Sequence, residues 1–158
     1  MVGCPCEVCN SEDKLDKRLR TSAYVVYEGK KFLIDIGPDF RWQMLNNSIT
    51  EIDAILLTHP HRDHIGGFDD IRAFNFLSKK KIDLFANDLT WESLQKQFYY
   101  AFANSDYKSL PTVIYNKIGS SPFQFKNIDI EPISVMHGKM PCLGYRFGNM
   151  AYVTDTNY

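Results

Sequence analysis

Residues 52–67, IDAILLTHPHRDHIGG, pass from an apolar run directly into a cluster that holds three of the chain's four histidines. A short apolar run of this kind reads as a buried strand. The polar cluster therefore begins where a core strand ends. His59 and His61 are two residues apart, a spacing that in extended backbone points both imidazoles the same way. Asp63 and His64 follow where the chain turns into a helix, so their side chains swing to a neighbouring point. Two nitrogen ligands beside an oxygen–nitrogen pair are the beginnings of two adjacent metal sites, and the mixture suits zinc, manganese or iron. Two such ions close together can clamp a phosphoryl or acyl group.

A second cluster, GCPCEVC at residues 3–9, holds three of the four cysteines. Cys4, Cys6 and Cys9 are too close for relaxed pairing among themselves, yet spaced to converge on one ion. A structural zinc takes four ligands, and Cys142 is the one cysteine left. Its place in a strand-like segment, MPCLGYRF, favours a small buried core residue, with a role as fourth ligand as the alternative. No apolar stretch approaches a membrane span, and the first residues lack the apolar core of a signal peptide. A reducing cytoplasm is expected, where thiolates prevail over disulfides.

The rest of the chain supports an α/β reading. SAYVVYE and KFLIDI read as strands joined by a turn at GK. DFRWQMLNN reads as a short helix with Asp39 near its start. Ile65, Phe68, Ile71 and Phe74 suggest a helix packed by one face, and IDLFA is a further strand. In LTWESLQKQFYYAF, Trp91, Leu94, Phe98 and Phe102 fall on one helical stripe. A polar loop is expected over residues 104–111. The strands TVIYNKI, FQFK, IDIEPISV, LGYRFG and AYVTD follow. The net charge of −1 gives no general attraction to nucleic acid or to an anionic membrane. The basic runs KLDKRLR and KKK read as solvated faces, or else as a local grip on a phosphorylated substrate.

THPHRDH resembles the signature of the metallo-β-lactamase-fold hydrolases. The similarity extends to LIDIGPD, where Asp35 matches an aspartate that supports the metal loop from behind. In VMHG, His137 matches the third ligand of the first metal site. In YVTD, Asp155 matches the carboxylate that bridges both ions. The combination of GCPCEVC, KRLRTSAYVV, LIDIGPDFR, THPHRDHIGGFDDIR and VMHGKMPCLGYRFG is similar to one branch of that family, the phosphoribosyl 1,2-cyclic phosphate phosphodiesterases.

The resemblance implies an αββα sandwich, of which this chain covers roughly the N-terminal two-thirds. Residues 1–158 would form a single incomplete domain, with residues 1–20 as a Cys-rich zinc-binding segment. The family pattern has an opening strand before the position of Met1 and a second half beyond Tyr158. That half carries the last ligand of the second metal site, a phosphate-assisting histidine and the fourth structural zinc ligand. The chain is thus expected to be a piece of a longer enzyme.

Also implied are two active-site zinc or manganese ions. His59, His61 and His137 would hold one, Asp63 and His64 the other, and Asp155 both. A structural zinc would sit on Cys4, Cys6 and Cys9. Asp63 would additionally orient the attacking water. The expected substrate is a small or cyclic phosphodiester, with no nucleic acid or membrane partner and a possible homodimer. The alternatives are a tRNA 3′-processing endonuclease-like hydrolase and a non-catalytic metal-binding relative.

Overall fold

The computed structural model describes residues 2–103 and 107–157. Strands β1 (Ala23–Tyr27), β2 (Lys30–Ile34), β3 (Ala54–Leu56), β4 (Ile82–Ala86) and β5 (Val113–Lys117) form one sheet in that order. β1 and β2 are an antiparallel hairpin, and the other neighbours are parallel. The hairpin turn lies at Glu28–Gly29, one residue earlier than the expected GK, because Lys30 already pairs with Tyr27. Both turn residues have positive φ, 47° and 72°. That is the left-handed geometry that matches a two-residue turn to the twist of its strands. A second, antiparallel sheet contains β6 (Phe123–Phe125), β7 (Ile128–His137), β8 (Met140–Phe147) and β9 (Met150–Tyr152).

Alternation along the strands of the first sheet divides the core in two. Phe32, Ile34, Ala54, Leu56 and Phe85 pack against Phe125, Ile130, Leu143, Tyr145 and Phe147 of the second sheet. Leu33, Ile55, Leu57 and Leu84 face the other way, towards helices. Those helices are α2 (Phe40–Asn46), α3 (Arg62–Ile65), α4 (Arg72–Ser78), α5 (Asp88–Gln97) and α6 (Tyr99–Phe102), α1 (Glu7–Asn10) being part of the cysteine segment. Strands apolar on both faces are what a parallel sheet covered on both sides requires. The result is the helix, sheet and sheet order of an αββα sandwich.

Two expected helices are broken. Ile65, Phe68, Ile71 and Phe74 are buried as the spacing predicts. They lie on three short pieces, however, because Gly66 and Gly67 interrupt the helix after His64. The interruption serves a close approach between loops. Ile36 N–H donates to His64 O and Gly67 N–H to Ile36 O, both at 2.7 Å. A Cβ on Gly67 would stand 2.2 Å from Gly37 O and 2.8 Å from Phe40 Cβ. The aromatic stripe is likewise divided at Phe98, where φ −117° and ψ 39° end α5. Leu94 and Phe98 are nonetheless buried, with Trp91 and Phe102 packed against them. Residues 104–106 of the expected polar loop lie outside the described residues.

Gly67→Ala is expected to cost about 1–3 kcal/mol, the range for overpacking a tight contact. Gly119→Ala, with nothing within 4 Å of the new methyl, should stay within about 0.5 kcal/mol. Urea unfolding of the two variants checks this, and equal midpoints would contradict the packing of the two loops.

Candidate metal centre

The parallel strands β2 and β3 both end at the same edge of the first sheet, and the site is built just beyond them. β3 leads into Thr58 and His59, both fully buried. His61 is the extended residue before α3. His59 Nε2 and His61 Nδ1 face each other at 3.2 Å. The second sheet supplies His137, the last residue of β7. The liganding atoms of His59, His61 and His137 lie within 4.8 Å of one another.

Those of His59, His64 and Asp155 converge equally closely. Asp155 Oδ2 is 3.2 Å from His64 Nε2, 3.8 Å from His59 Nε2 and 3.9 Å from His137 Nε2. One carboxylate oxygen therefore lies near three ring nitrogens, and His59 takes part in both groupings. Asp63 approaches from the solvent side, with Oδ2 3.7 Å from His64 Nε2. A tetrahedral ion with bonds of about 2.0–2.1 Å sets its ligand atoms about 3.3 Å apart. The His59–His61 separation matches that spacing, so the residues present fit a divalent ion.

Behind the histidines lies Asp35, fully buried. Its Oδ1 accepts from Thr58 N–H at 2.8 Å, and its Oδ2 accepts from the Thr58 hydroxyl at 2.8 Å. Oδ2 also meets His64 Nδ1 at 2.7 Å. Since the Thr58 hydroxyl spends its proton on Asp35, its lone pair is left for His59 Nδ1, 2.9 Å away. The hydrogen-bond chain assigns the ring proton of both histidines to Nδ1, and so turns a bare Nε2 towards the site. Asp35 reaches this position only by leaving the strand in the left-handed region, at φ 62°.

Cys4, Cys6 and Cys9 form a separate cluster, with sulfurs within 4.8 Å of one another. The Cys9 backbone N–H and the Cys4 thiol lower the Cys6 pKa to about 7. This cluster is suited to a thiophilic ion. Cys142 is not among them. It is buried in β8, where its sulfur lies 3.6 Å from His59 Nδ1. Burial pushes its thiol up to about 11.

Residues 30–158 match the family model of the beta-lactamase superfamily domain. The chain belongs to that family. It shares the metallo-β-lactamase fold with a diphosphatase from the PhnP family, whose crystal structure aligns with a TM-score of 0.84 and 39% identity over 96% of this chain. It is also 41% identical, over 98% of its length, to an octanoyltransferase of Porphyromonas gingivalis. The exodeoxyribonuclease WalJ of Streptococcus pneumoniae is 30% identical over 87% of the chain. The chain spans 58%, 31% and 50% of these three proteins respectively.

Of the residues read from the sequence, His59, His61, His64, His137 and Asp155 converge, Cys4, Cys6 and Cys9 form their own cluster, Asp35 lies behind the histidines, and Asp63 stands at the exposed rim. Thr58 belongs to the histidine motif but carries no role in the sequence reading, because its relay from Asp35 to His59 depends on a contact 23 residues back. A hydroxyl immediately before the first histidine is the only local sign. Among the described residues no helix is long and apolar enough to cross a membrane.

Burial pushes the Asp35 carboxyl up, against the pull of His64 and Thr58. Burial also works against a charge on His64, but Asp35 outweighs it and the net shift is upward. For Asp155 burial is outweighed by the Thr154 hydroxyl and three histidines, which hold its carboxyl below the usual range. His59 is lowered to about 4, first by burial and then by the neighbouring His64 and His61. Its folded value thus lies below the unfolded one of about 6.5. The unfolded state alone takes up this proton between those values, so stability falls as pH drops from about 6.5 to about 4. In metal-free protein, nitrogen-15 NMR is expected to show His59 protonated on Nδ1 and titrating near pH 4. A midpoint above about 6, close to the ordinary value, would contradict the burial of the ring, and a proton on Nε2 would contradict the relay.

Proposed function

We propose that the protein is a metal-dependent hydrolase of phosphate esters, acting on a small phosphodiester. The observation that carries this reading is one carboxylate oxygen, Asp155 Oδ2, that lies 3.8 Å from His59, 3.9 Å from His137 and 3.2 Å from His64, the members of two overlapping ligand groups. Such an arrangement suits two divalent ions, zinc or manganese. When bound, they would acidify a water and neutralise charge on a phosphoryl group.

The chain's own groups supply the rest. His59, His61 and His137 would hold one ion, His64 and Asp63 the other, and Asp155 both. Asp63 is the most exposed carboxylate of the set, with 55% of its side chain accessible. It can therefore also accept a proton from an incoming water and orient that water towards phosphorus. Thr58 and Asp35 hold two of the histidines in the tautomer that leaves Nε2 free. Buried walls on the sheet side exclude bulk water, so a substrate enters from the face where Asp63 and His61 are exposed.

The 39% identity to a diphosphatase supports phosphorus as the reacting centre. The exodeoxyribonuclease at 30% identity favours a second reading, cleavage of nucleic-acid ends. The net charge of −1 supports the smaller substrate. The name octanoyltransferase belongs to a protein of which this chain matches 31%, too small a share to carry that activity over. Three thiols held as a cluster point to a structural zinc and a reducing compartment such as the cytoplasm.

The full-length protein is expected to hydrolyse bis(p-nitrophenyl) phosphate with added manganese or zinc. Asp63→Ala should lower kcat by about 10²-fold or more while leaving the thermal midpoint unchanged, since no core volume is lost. Full activity in that variant would sink the role of Asp63. Turnover of single-stranded DNA with small phosphodiesters left intact, or of a β-lactam with every phosphodiester left intact, would sink the substrate class. Metal analysis of Cys6→Ser should show one equivalent of zinc fewer than the parent, and unchanged stoichiometry would remove the cysteine site.

A further inference from the structure

His137 and Asp155 are 18 residues apart, the first closing β7 and the second lying beyond β9. The ladder between β8 and β9 pairs only Tyr145 with Tyr152, Arg146 with Ala151 and Phe147 with Met150. Asp155 lies three residues past the end of that ladder, at φ 45°. The sheet itself therefore does not fix Asp155 against His137. Nor does the hairpin tip after His137, where Gly138 takes φ 61° and no side chain would meet anything within 4 Å.

One residue closes the gap. Asn157 N–H donates to Met136 O at 3.0 Å. The Asn157 side-chain Oδ1 accepts from Gly138 N–H at 2.5 Å. Met136 and Gly138 are the immediate neighbours of His137, and Asn157 is two residues from Asp155. The two candidate ligands are thus joined in a ring whose clasp is one asparagine. The Thr156 hydroxyl adds a longer bond to Met136 O at 3.4 Å. Removing the Asn157 side chain leaves the Gly138 N–H to water and frees the hairpin tip to turn away from the Asp155 loop.

We propose that Asn157 is a positioning residue that sets the separation of His137 from Asp155, and through it the affinity and geometry of the first metal position. The inference rests on the metal-centre reading above. It assigns Asn157 no contact with substrate. Its amide acts because it accepts where the hairpin turn donates, a job that an aspartate at this position could share and an alanine could not.

Cobalt(II) titration of the metal-free, full-length protein tests it, since the visible d–d bands report the geometry of a histidine-ligated ion. Partners of metal ligands typically tune affinity by about 10–100-fold. Asn157→Ala is expected to weaken cobalt binding at the histidine site about tenfold and to change the band shape. The thermal midpoint of the metal-free protein should not move. Asn157→Asp keeps the acceptor and should restore the parental band shape. Parental affinity and spectrum in Asn157→Ala would overturn the proposal. So would a lowered midpoint of the metal-free alanine variant, which would make Asn157 a general stabiliser, or failure of Asn157→Asp to restore the bands. If the parent itself gives no histidine-type cobalt spectrum, the metal-centre reading fails first and this inference falls with it.

Discussion

The site depends on a carboxylate removed from water. Burying an ionised group without partners is prohibitive, and a buried acid normally survives only when every lone pair that can be used is used. Asp35 meets that condition with Thr58 N–H, the Thr58 hydroxyl and His64 Nδ1. Each of those bonds also performs a second task. The bond from Thr58 N–H ties the end of β2 to the loop that follows β3, the hydroxyl bond orients Thr58 towards His59, and the imidazole bond sets the ring of His64. One buried charge thereby fixes the loop, two rings and two tautomers. The left-handed backbone at Asp35 is the accompanying strain, of the kind that surrounding structure must over-determine.

Glycines complete that over-determination. With His64 O accepting from Ile36 N–H and Ile36 O accepting from Gly67 N–H across the two loops, the backbone of residues 36–37 and 64–67 comes into contact. Side chains at Gly37 or Gly67 would collide with main-chain oxygens at 2.1 and 2.2 Å. The break in the helix after His64 is therefore a consequence of bringing the Asp35 loop under the histidine loop. A continuous helix from Ile65 would have satisfied the apolar periodicity equally well, but would have left no room for the loop that carries Asp35.

What is legible in the sequence is what local spacing encodes. His59, His61, Asp63 and His64 are near neighbours, so their convergence follows from strand and turn geometry. The apolar runs in KFLIDI and IDAILL place both core faces. Longer-range partnerships are not legible. Asp39 sits at the start of α2 as expected, yet its carboxylate makes no cap. It accepts instead from the backbone and guanidinium of Arg20, 19 residues earlier. The same holds for Thr58 and Asn157, whose partners are set by the fold. The ring-to-ring distances around His137 depend on two sheets meeting, which no local window contains.

That meeting of sheets is the last element of the site. Four of the candidate ligands come from loops of the first sheet, and His137 and Asp155 come from the second. Their relative position is held by bonds between strand ends. Tyr145 OH donates to Leu57 O at 2.6 Å, and Leu143 N–H donates to Thr58 O at 3.0 Å. Both bonds run from β8 to the residues directly before His59, and Tyr145 is fully buried between the sheets. Close-packed interiors transmit displacement instead of absorbing it. A slide of β8 along the first sheet would thus carry His137 with it and pull on the segment that holds His59. The distance from His59 to His137 is consequently a property of the sheet-on-sheet core, while the distance from His137 to Asp155 belongs to the hairpin and its clasp.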